Sequence, residues 1–305
     1  MLAARSASHW RVPGAITGGS PPAMRARYIP YLLIAPSLGF LTMLFFVPLA
    51  QTIALAFQAD GIWSTENFAR MAVDFNFTDA VVNTFEIVII VVPLQLLLAL
   101  AMAMAMMLQH VRAGRDIVLW IWSIPLGISD LAAGLVWLAI LTDKGYLNTV
   151  LLALGVLSGP QSWLTYETPA TLLAAIVVAE LWRATAIVLV ILVSGVQLIP
   201  KEYGEAAEVF GATPWQRFTR VTLPLLRPSI QTALILRTVL AFEMFAIVLS
   251  IGGRNFPVLV SEAFNWQYNQ QDFGVAAAYA VIVMGVSLAA TLVYLRVLRT
   301  PAEQR

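Results

Sequence analysis

Six ionisable side chains stand inside long apolar runs of this chain. They are Glu86, Asp130, Glu180, Arg183, Arg237 and Glu243. A charge at the centre of a membrane helix costs at least ~2.5 kcal/mol on insertion scales, so each needs a partner, water or a ligand. Glu180 and Arg183 are three positions apart and can pair on one helical face. Arg237 and Glu243 face different ways, so each is expected to meet another helix. The six groups suit either buried ion pairs that fix helix packing or the lining of a solute path.

Residue sets for catalysis are missing. The chain has no cysteine, and His9 and His110 are its only histidines. It contains no Ser/His/Asp set, no metal-binding helix motif and no glycine-rich phosphate loop. We therefore expect no enzyme, no cofactor and no ATP hydrolysis in this chain. The net charge of +1 gives no reason to expect a nucleic-acid partner.

The composition is that of a membrane protein. The chain is 60% hydrophobic and 11% charged, with a mean hydropathy of +0.81, whereas a soluble domain is about a quarter charged. Six apolar runs reach the roughly 20 residues that a helix needs to cross a bilayer. They lie near 30–57, 81–108, 117–141, 169–195, 229–251 and 273–298. They show no alternation with period two, which favours helices over a barrel. We predict an all-α integral membrane protein with six transmembrane helices.

Basic residues are unevenly distributed between the two sides of these spans. Thirteen fall on the side that holds both termini and the loop between the fourth and fifth spans: Arg5, Arg11, Arg25, Arg27, Arg112, Arg115, Lys201, Arg217, Arg220, Arg227, Arg296, Arg299 and Arg305. The opposite side holds Arg70, Lys144 and Arg254. Basic loops stay inside, so both termini of this multi-pass plasma-membrane protein are predicted to be cytosolic. The predicted domains are a tail over 1–28, a membrane domain over 29–298 and a tail over 299–305.

The loop 197–228 has helix signals on both sides of a glycine. Pro200 can open a first helix, and Gly211 can end it in a left-handed conformation. Thr213 and Gln216 then fit a capping box with Pro214 at the first helical position. The pattern predicts a helix, a glycine corner and a second helix that leads back to the membrane.

This loop resembles the EAA loop of ATP-binding-cassette (ABC) importer permeases. The matching residues are Glu205, Ala206, Ala207, Gly211, Val221, Leu223 and Pro224. Phe210 departs from the family, which usually has an acidic residue there. Further similarities to the carbohydrate (MalF/UgpA-like) branch cover roughly 28–298 and include Tyr31–Pro36, Asn67-Phe68, Gly252-Gly253 and Asp272–Gly274. Within that branch the chain resembles SugA-type permeases of actinobacterial trehalose importers.

The resemblance implies a six-helix, MetI-like permease bundle with several partners. These are a second, homologous permease, two cytosolic ATPase subunits that hold ATP and magnesium, an extracytoplasmic sugar-binding (lipo)protein, and membrane lipids. It implies that the loop couples to the ATPase through Glu205, Ala206, Ala207, Gly211, Ala212, Thr213, Pro214, Trp215, Leu223 and Pro224.

The resemblance also implies a sugar path through the bundle, most readily for a disaccharide such as trehalose. Carboxylates and amides bind sugar hydroxyls, and aromatic rings cover apolar sugar faces. Phe242, Glu243 and Phe245 offer that combination, although both rings equally suit helix packing. The full set of pathway candidates is Asn83, Glu86, Asp130, Glu180, Arg183, Arg237, Phe242, Glu243 and Phe245.

Three other functions remain open from the sequence. An ion-coupled secondary transporter would use carboxylates such as Glu180 and Glu243 for protons, but it leaves the EAA pattern unexplained. A membrane enzyme lacks a nucleophile or metal cluster. An ABC permease for a non-sugar solute, such as a glycerol phosphate, has the same organisation. Four acidic and two basic groups within the spans give no strong attraction for a phosphorylated ligand.

Overall fold

The computed structural model describes residues 23–108, 112–165 and 167–298. The predicted tail 299–305 and most of the tail 1–28 lie outside these residues. The same is true of several single residues named above: Arg5, Arg11, Arg299, Arg305, His9 and His110. By internal contacts the chain divides into two units, Met1–Gln51 and Thr52–Arg305.

The first candidate span runs over Tyr28–Ala56. It consists of α1 (Ala23–Leu41), a π-helical turn (Thr42–Phe46) and α2 (Val47–Ala56). Pro48 has no N–H to offer the preceding turn, which gives a local reason for the altered helix just before it. A two-stranded hairpin follows, with β1 (Gln58–Ala59) paired to β2 (Ile62–Trp63).

The remaining elements are helical. The longer helices are α4 (Phe77–Leu108), α5 (Arg112–Ser123), α6 (Asp130–Leu141), α8 (Pro169–Gln197), α12 (Arg227–Phe242), α14 (Leu259–Tyr268) and α15 (Phe273–Val297). The shorter ones are α3 (Glu66–Ala72), α7 (Tyr146–Ala153), α9 (Lys201–Val209), α10 (Pro214–Arg217), α11 (Leu223–Leu225) and α13 (Ala246–Gly252).

The core of the second unit forms around α4 and α8, which pack against each other along their length. One cluster joins α4 and α8 to α6 and α13 around Ile87, Ile176 and Ile247. A second joins α4 to α12, α14 and α15 around Phe242 and Tyr279. The described residues contain five helices long and apolar enough to span a membrane, or six if one bent pair counts as a span. The predicted all-α, multi-span fold is confirmed.

The predicted continuous span at 117–141 is wrong. The helix α5 ends at Ser123, a 3₁₀ turn covers Ile124–Gly127, and α6 begins at Asp130. Pro125 cannot donate to the preceding turn. Ser129 is extended, and its side chain accepts a bond from the N–H of Ala132, so it caps the new helix. Asp130 therefore lies at the start of a candidate span, Asp130–Ala153, and not within one.

The predicted continuous span at 229–251 is also interrupted. The helix α12 ends at Phe242, and α13 begins at Ala246. Phe245 has a non-helical backbone (φ −134°, ψ −62°). No proline or glycine marks this break, so tertiary packing decides it. At its other end α12 meets the Pro214–Leu225 segment at an angle of 67°.

Candidate functional site

A buried ionic network joins three helices in the centre of the second unit. The Arg237 Nη2 on α12 donates to the Glu180 Oε1 on α8 at 2.5 Å, and each side chain is 1% exposed. The Arg237 Nε donates to the amide oxygen of Gln95 on α4. The Gln95 amide in turn donates to the backbone oxygen of Glu180 at 3.0 Å. The pairing therefore fixes α4, α8 and α12 relative to one another.

Arg183 extends this network to Asp130, its most exposed member. Its guanidinium donates to the Glu180 Oε1 at 3.1 Å and lies 2.9 Å from the Asp130 Oδ1 at the start of α6. The Arg183 side chain is 13% exposed and that of Asp130 is 48% exposed. Two acidic and two basic groups balance, so each of the buried charges has an opposite charge beside it.

Sequence reasoning found most of this network. The expected contact of Glu180 with Arg183 is present, and Arg237 does meet another helix. Gln95 was missed, although it is the only polar side chain between Ile87 and Leu108. An isolated amide in a membrane helix is a usable signal, because lipid offers it no partner.

The Arg237 Nη1 is buried and has no hydrogen-bond partner among the described residues. A buried donor of this kind usually meets water or a ligand. Within the same residues, no group of three or more metal-ligating side chains comes together. The network therefore holds one buried donor, the Arg237 Nη1, that no described residue satisfies.

Asn83 and Glu86 do not join the network. The Asn83 amide donates to the backbone oxygen of Pro257 at 2.8 Å and so ties α4 to the segment before α14. Glu86 is exposed. The structure does not bring these two candidates together with Arg237.

Phe242 and Phe245 have aromatic neighbours. Phe242 is 3% exposed and meets the edge of Phe85, with ring centroids 5.6 Å apart. The ring of Phe245 lies 5.1 Å from that of Phe264. The buried Phe242 ring has no free face in this conformation, so packing accounts for it.

Glu243 does not join the network. It follows the last residue of α12, is exposed, and lines a cavity of about 510 Å³ between α12, α14 and α15. Arg237 and Glu243 thus face different helices, as their spacing predicts.

The loop at 197–228 has the predicted helix–corner–helix geometry. The helix α9 ends at Val209, and Gly211 has φ +79°. The Thr213 N–H donates to Gln216 at 2.9 Å, and the Gln216 N–H donates back to the Thr213 hydroxyl at 3.3 Å. At the α9 end, the Gly211 N–H donates to the backbone oxygen of Glu208 at 2.9 Å, so local hydrogen bonds fix both ends of the corner.

Further contacts lie within this loop and at its base. Glu208 on α9 forms an ion pair with Arg217 on α10, which holds the two loop helices together. At the base of the loop, a Cβ added to Gly195 would lie 2.7 Å from the Ser229 Cβ, so α8 and α12 touch there.

The tip of the loop carries exposed apolar side chains. Val209 is 86% exposed, Phe210 is 90% exposed and Trp215 is 61% exposed. Glu205 is exposed on the same helix, and a groove of about 550 Å³ runs between α9 and the end of α8. Exposed apolar residues grouped with charges are typical of a protein interface.

A polar cluster stands at the other end of the bundle. Asp74 accepts bonds from the Trp266 indole at 2.7 Å and the Tyr279 hydroxyl at 2.6 Å. The Arg70 guanidinium donates to Asp272 at 2.5 Å. Burial alone would raise the pKa of Asp272, but the Val275 N–H and Arg70 both donate to its carboxylate and bring that pKa below its usual value. The cluster ties the loop before α4 to α14 and α15.

Glu262 on α14 is buried beside this cluster. Its burial raises the pKa of its carboxyl group, and the Asn265 amide, which donates to it at 3.2 Å, offsets part of that rise. The helix α14 is not among the candidate membrane spans.

The bundle and its braced loop define a MetI-like ABC permease fold. In the crystal structure of a bacterial alginate ABC transporter in complex with alginate pentasaccharide-bound periplasmic protein, one chain has the same fold. The TM-score is 0.77 at 21% identity, over 91% of this chain and 96% of that one.

Residues 69–300 match the family of binding-protein-dependent transport system inner membrane components, and the chain belongs to that family. It is 31% identical over 287 residues to the trehalose/maltose transport system permease protein MalF of Thermococcus litoralis, covering 90% of this chain and 94% of that protein. It is 30% identical to the sulfoquinovosyl glycerol transport system permease protein SmoG of Agrobacterium fabrum, covering 90% and 91%. It is 26% identical to the trehalose transport system permease protein SugA of Mycobacterium tuberculosis, covering 94% of each. These relatives are sugar permeases of transport systems, and the expected membrane-permease class is confirmed.

Proposed function

We propose that this chain is one of two permease subunits of an ABC importer for a sugar, with a disaccharide such as trehalose as the solute. The observation that carries the substrate class is the 31% identity to a trehalose/maltose permease over nearly the whole of both chains. A second permease, two cytosolic ATPase subunits and an extracytoplasmic sugar-binding protein complete the proposed assembly. Both termini and the loop 197–228 lie on the cytosolic side in this proposal.

The loop 197–228 is the proposed contact with the ATPase. Glu205 and Gly211 carry the coupling, and Ala206 and Ala207 keep the contact face thin. The exposed Phe210 and Trp215 supply apolar surface beside them. Because Arg217 holds α10 to α9, the ATPase would move the hairpin as a unit.

Motion at the loop would reach the network through α8 and α12. Glu180 and Gln197 are separated by about 26 Å at the rise of an α-helix. Gly195 and Ser229 hold the two helices together at the loop, and Glu180 and Arg237 hold them together in the centre. ATP-driven closure would then shift the population of the bundle between inward-facing and outward-facing arrangements.

The proposed pathway runs past the end of the network that Arg183 and Asp130 form. Arg183 and Asp130 are its most accessible members, and the balanced charges suit an uncharged, hydroxyl-rich solute. The pathway roles of Asn83, Glu86, Phe242, Glu243 and Phe245 remain predictions.

Reconstitution in proteoliposomes tests the proposal. The chain is combined with the second permease, the ATPase and the binding protein of the proposed assembly, and uptake of labelled trehalose and maltose is measured with and without ATP. We expect ATP-dependent uptake that glycerol 3-phosphate does not inhibit. Uptake by the chain alone without ATP would establish an ion-coupled transporter, and uptake of glycerol 3-phosphate in preference would change the solute class.

Two variants test the coupling assignment. Glu205→Arg and Gly211→Leu should abolish uptake while the protein stays in the membrane. Glu167→Arg, a charge reversal at an exposed residue between α7 and α8, is the matched control and should transport normally. Normal uptake by both loop variants would refute the coupling role.

A further inference from the structure

A small polar cavity lies between the end of α13 and the helix α14. Its volume is about 80 Å³, which holds about two or three water-sized groups at roughly 30 Å³ each. The helix α14 is outside the candidate membrane spans, and the distribution of basic residues predicts that it lies on the outer side. The polar side chains that line the cavity are Arg254, Ser261, Glu262, Asn265 and Asn269.

Contacts with α4 hold one wall of this cavity in place. The Asn83 amide donates to the backbone oxygen of Pro257 at 2.8 Å, and the Leu259 N–H donates to the Thr84 hydroxyl at 3.0 Å. At the other wall, Gly253 has φ +57°. Glycine adopts this left-handed conformation without steric cost, and it turns the chain at the end of α13. The cavity is therefore built by the fold, as small-molecule sites usually are.

Two opposite charges line the cavity without pairing. The Glu262 carboxylate is buried and accepts a hydrogen bond from the Asn265 amide at 3.2 Å. Arg254 is exposed, and its positive charge favours the ionised form of Glu262, but it forms no ion pair among the described residues. Arg254 would repel a cation in the cavity, and Glu262 would repel an anion. The lining therefore favours an uncharged group that has both hydrogen-bond donors and acceptors.

The hydroxyl groups of a sugar meet this requirement. A hydroxyl both donates and accepts, so one sugar can donate to Glu262 and accept from Arg254. The side-chain amide of Asn269 donates to Asn265, and its oxygen is left as a further acceptor. The Phe264 ring also lines the cavity and is 39% exposed. An aromatic ring beside a few polar groups is a usual combination in small-molecule sites.

We propose that this cavity binds the edge of an uncharged sugar ring on the outer side, before the solute enters the path between the helices. Arg254, Glu262 and Asn269 bind its hydroxyl groups, and Phe264 covers its apolar face. This inference rests on the proposed function and on the predicted orientation. It adds a subsite whose lining shares no residue with the network around Arg237.

Fluorine NMR tests the subsite in the membrane complex of the two permeases and the ATPase. A para-fluorophenylalanine replaces Phe264 in one sample and Phe75 in the other. Phe75 is the matched control, because it is 93% exposed before α4 and does not line the cavity. We expect added trehalose to shift the fluorine resonance at position 264 in a saturable way and to leave position 75 unchanged. No shift at position 264, or equal shifts at both positions, would overturn the proposal.

A variant of Arg254 tests the polar contact in the same measurement. Arg254→Gln should weaken the binding of trehalose by about tenfold or more, the effect of losing a hydrogen bond to a charged group. Lys144→Gln is the control, since Lys144 is an exposed basic residue on the same predicted side that does not line the cavity. It should bind trehalose as the unsubstituted complex does. Equal affinity of the Arg254→Gln variant and the unsubstituted complex would refute the role of Arg254.

Two further additions identify other occupants. A shift at position 264 with glycerol 3-phosphate in preference to trehalose would show that the cavity takes an anion. A shift with the sugar-free binding protein alone would show that it takes a protein side chain. Either result would overturn the proposal.

The subsite and the proposed function fail separately. A complex that takes up sugar with ATP but shows no shift at position 264 refutes the subsite and leaves the proposed function standing. A saturable shift with trehalose in a complex that transports no sugar supports the subsite and refutes the proposed function.

Discussion

The guanidinium of Arg237 meets the carboxylate of Glu180 at 2.5 Å, although the two residues lie 57 positions apart and each is 1% exposed. No local sequence spacing produces this contact. It joins the helix that enters the loop 197–228 to the helix that leaves it. The same two helices touch again at Gly195 and Ser229, so they are in contact at two separate points.

Loss of one partner in this pair should be more harmful than loss of both. Glu180→Gln leaves Arg237 as an uncompensated buried charge, which costs about 3–5 kcal/mol in buried pairs. Adding Arg237→Met should cost well below the sum of the two single changes, since Arg183 keeps Asp130. Thermal unfolding of the purified variants measures this. Arg70→Gln breaks a more exposed pair and should cost no more than ~1 kcal/mol. Additive effects of the two network changes would contradict the pairing.

The contact at the base of the loop predicts a steric defect with a specific rescue. In Gly195→Ala, the new Cβ would lie 2.7 Å from the Ser229 Cβ, so α8 and α12 must separate. Overpacking of this kind costs about 1–3 kcal/mol. Ser229→Gly should restore stability and uptake. Gly285→Ala is the control, because a Cβ there meets nothing within 4 Å. Equal effects at positions 195 and 285 would contradict the close approach.

Substitution of Gly211 should strain the backbone without causing a steric clash. Its φ is +79°, and an added Cβ meets nothing within 4 Å, so the cost of substitution comes from the backbone alone. Gly211→Ala should destabilise the corner by about 1 kcal/mol. Gly211→Asn should be milder, because asparagine tolerates the left-handed region. ATPase stimulation by the binding protein, compared across the three proteins, measures the effect. An asparagine variant as impaired as the alanine variant would point to a role for the glycine other than its backbone conformation.

We predict that the stability of the folded protein depends on pH through the carboxyl group of Glu262. Burial raises the pKa of its carboxyl group in the folded state, so the folded protein binds the proton more tightly than the unfolded chain. Stability therefore falls as pH rises above the unfolded value of about 4.3. Glu262→Gln should unfold at a higher temperature than the unsubstituted protein at pH 7. Below about pH 4 the two should unfold together, and a difference that persists there would contradict the assignment.

The absence of cysteine allows a direct test of orientation. Val73→Cys and Tyr203→Cys replace side chains that are 82% and 54% exposed, and both lie between candidate spans. The distribution of basic residues predicts that an impermeant maleimide labels position 73 in intact cells and position 203 only after permeabilisation. Labelling of position 203 in intact cells would place the loop 197–228 outside and exclude an ATPase contact there.

Sequence reasoning located the loop geometry because its determinants are local. Gly211 and the capping box of Thr213 act within a few residues, so composition and spacing are sufficient to predict them. Sequence reasoning failed at Phe242–Phe245, where the helix breaks without proline or glycine. It also missed Gln95, whose role depends on Arg237 at a distance of 142 positions.

The sequence by itself determined that this protein spans a bilayer and which of its residues share a face of a helix. Long apolar runs require a bilayer, because transfer energies depend on composition, and unevenly placed basic residues predict an orientation. Only the tertiary structure decided which polar groups share a partner. It grouped Arg237 with Glu180 and Gln95 and turned Glu243 towards a different groove. Helix packing sets those contacts, and packing depends on the fit of distant surfaces that no local pattern records.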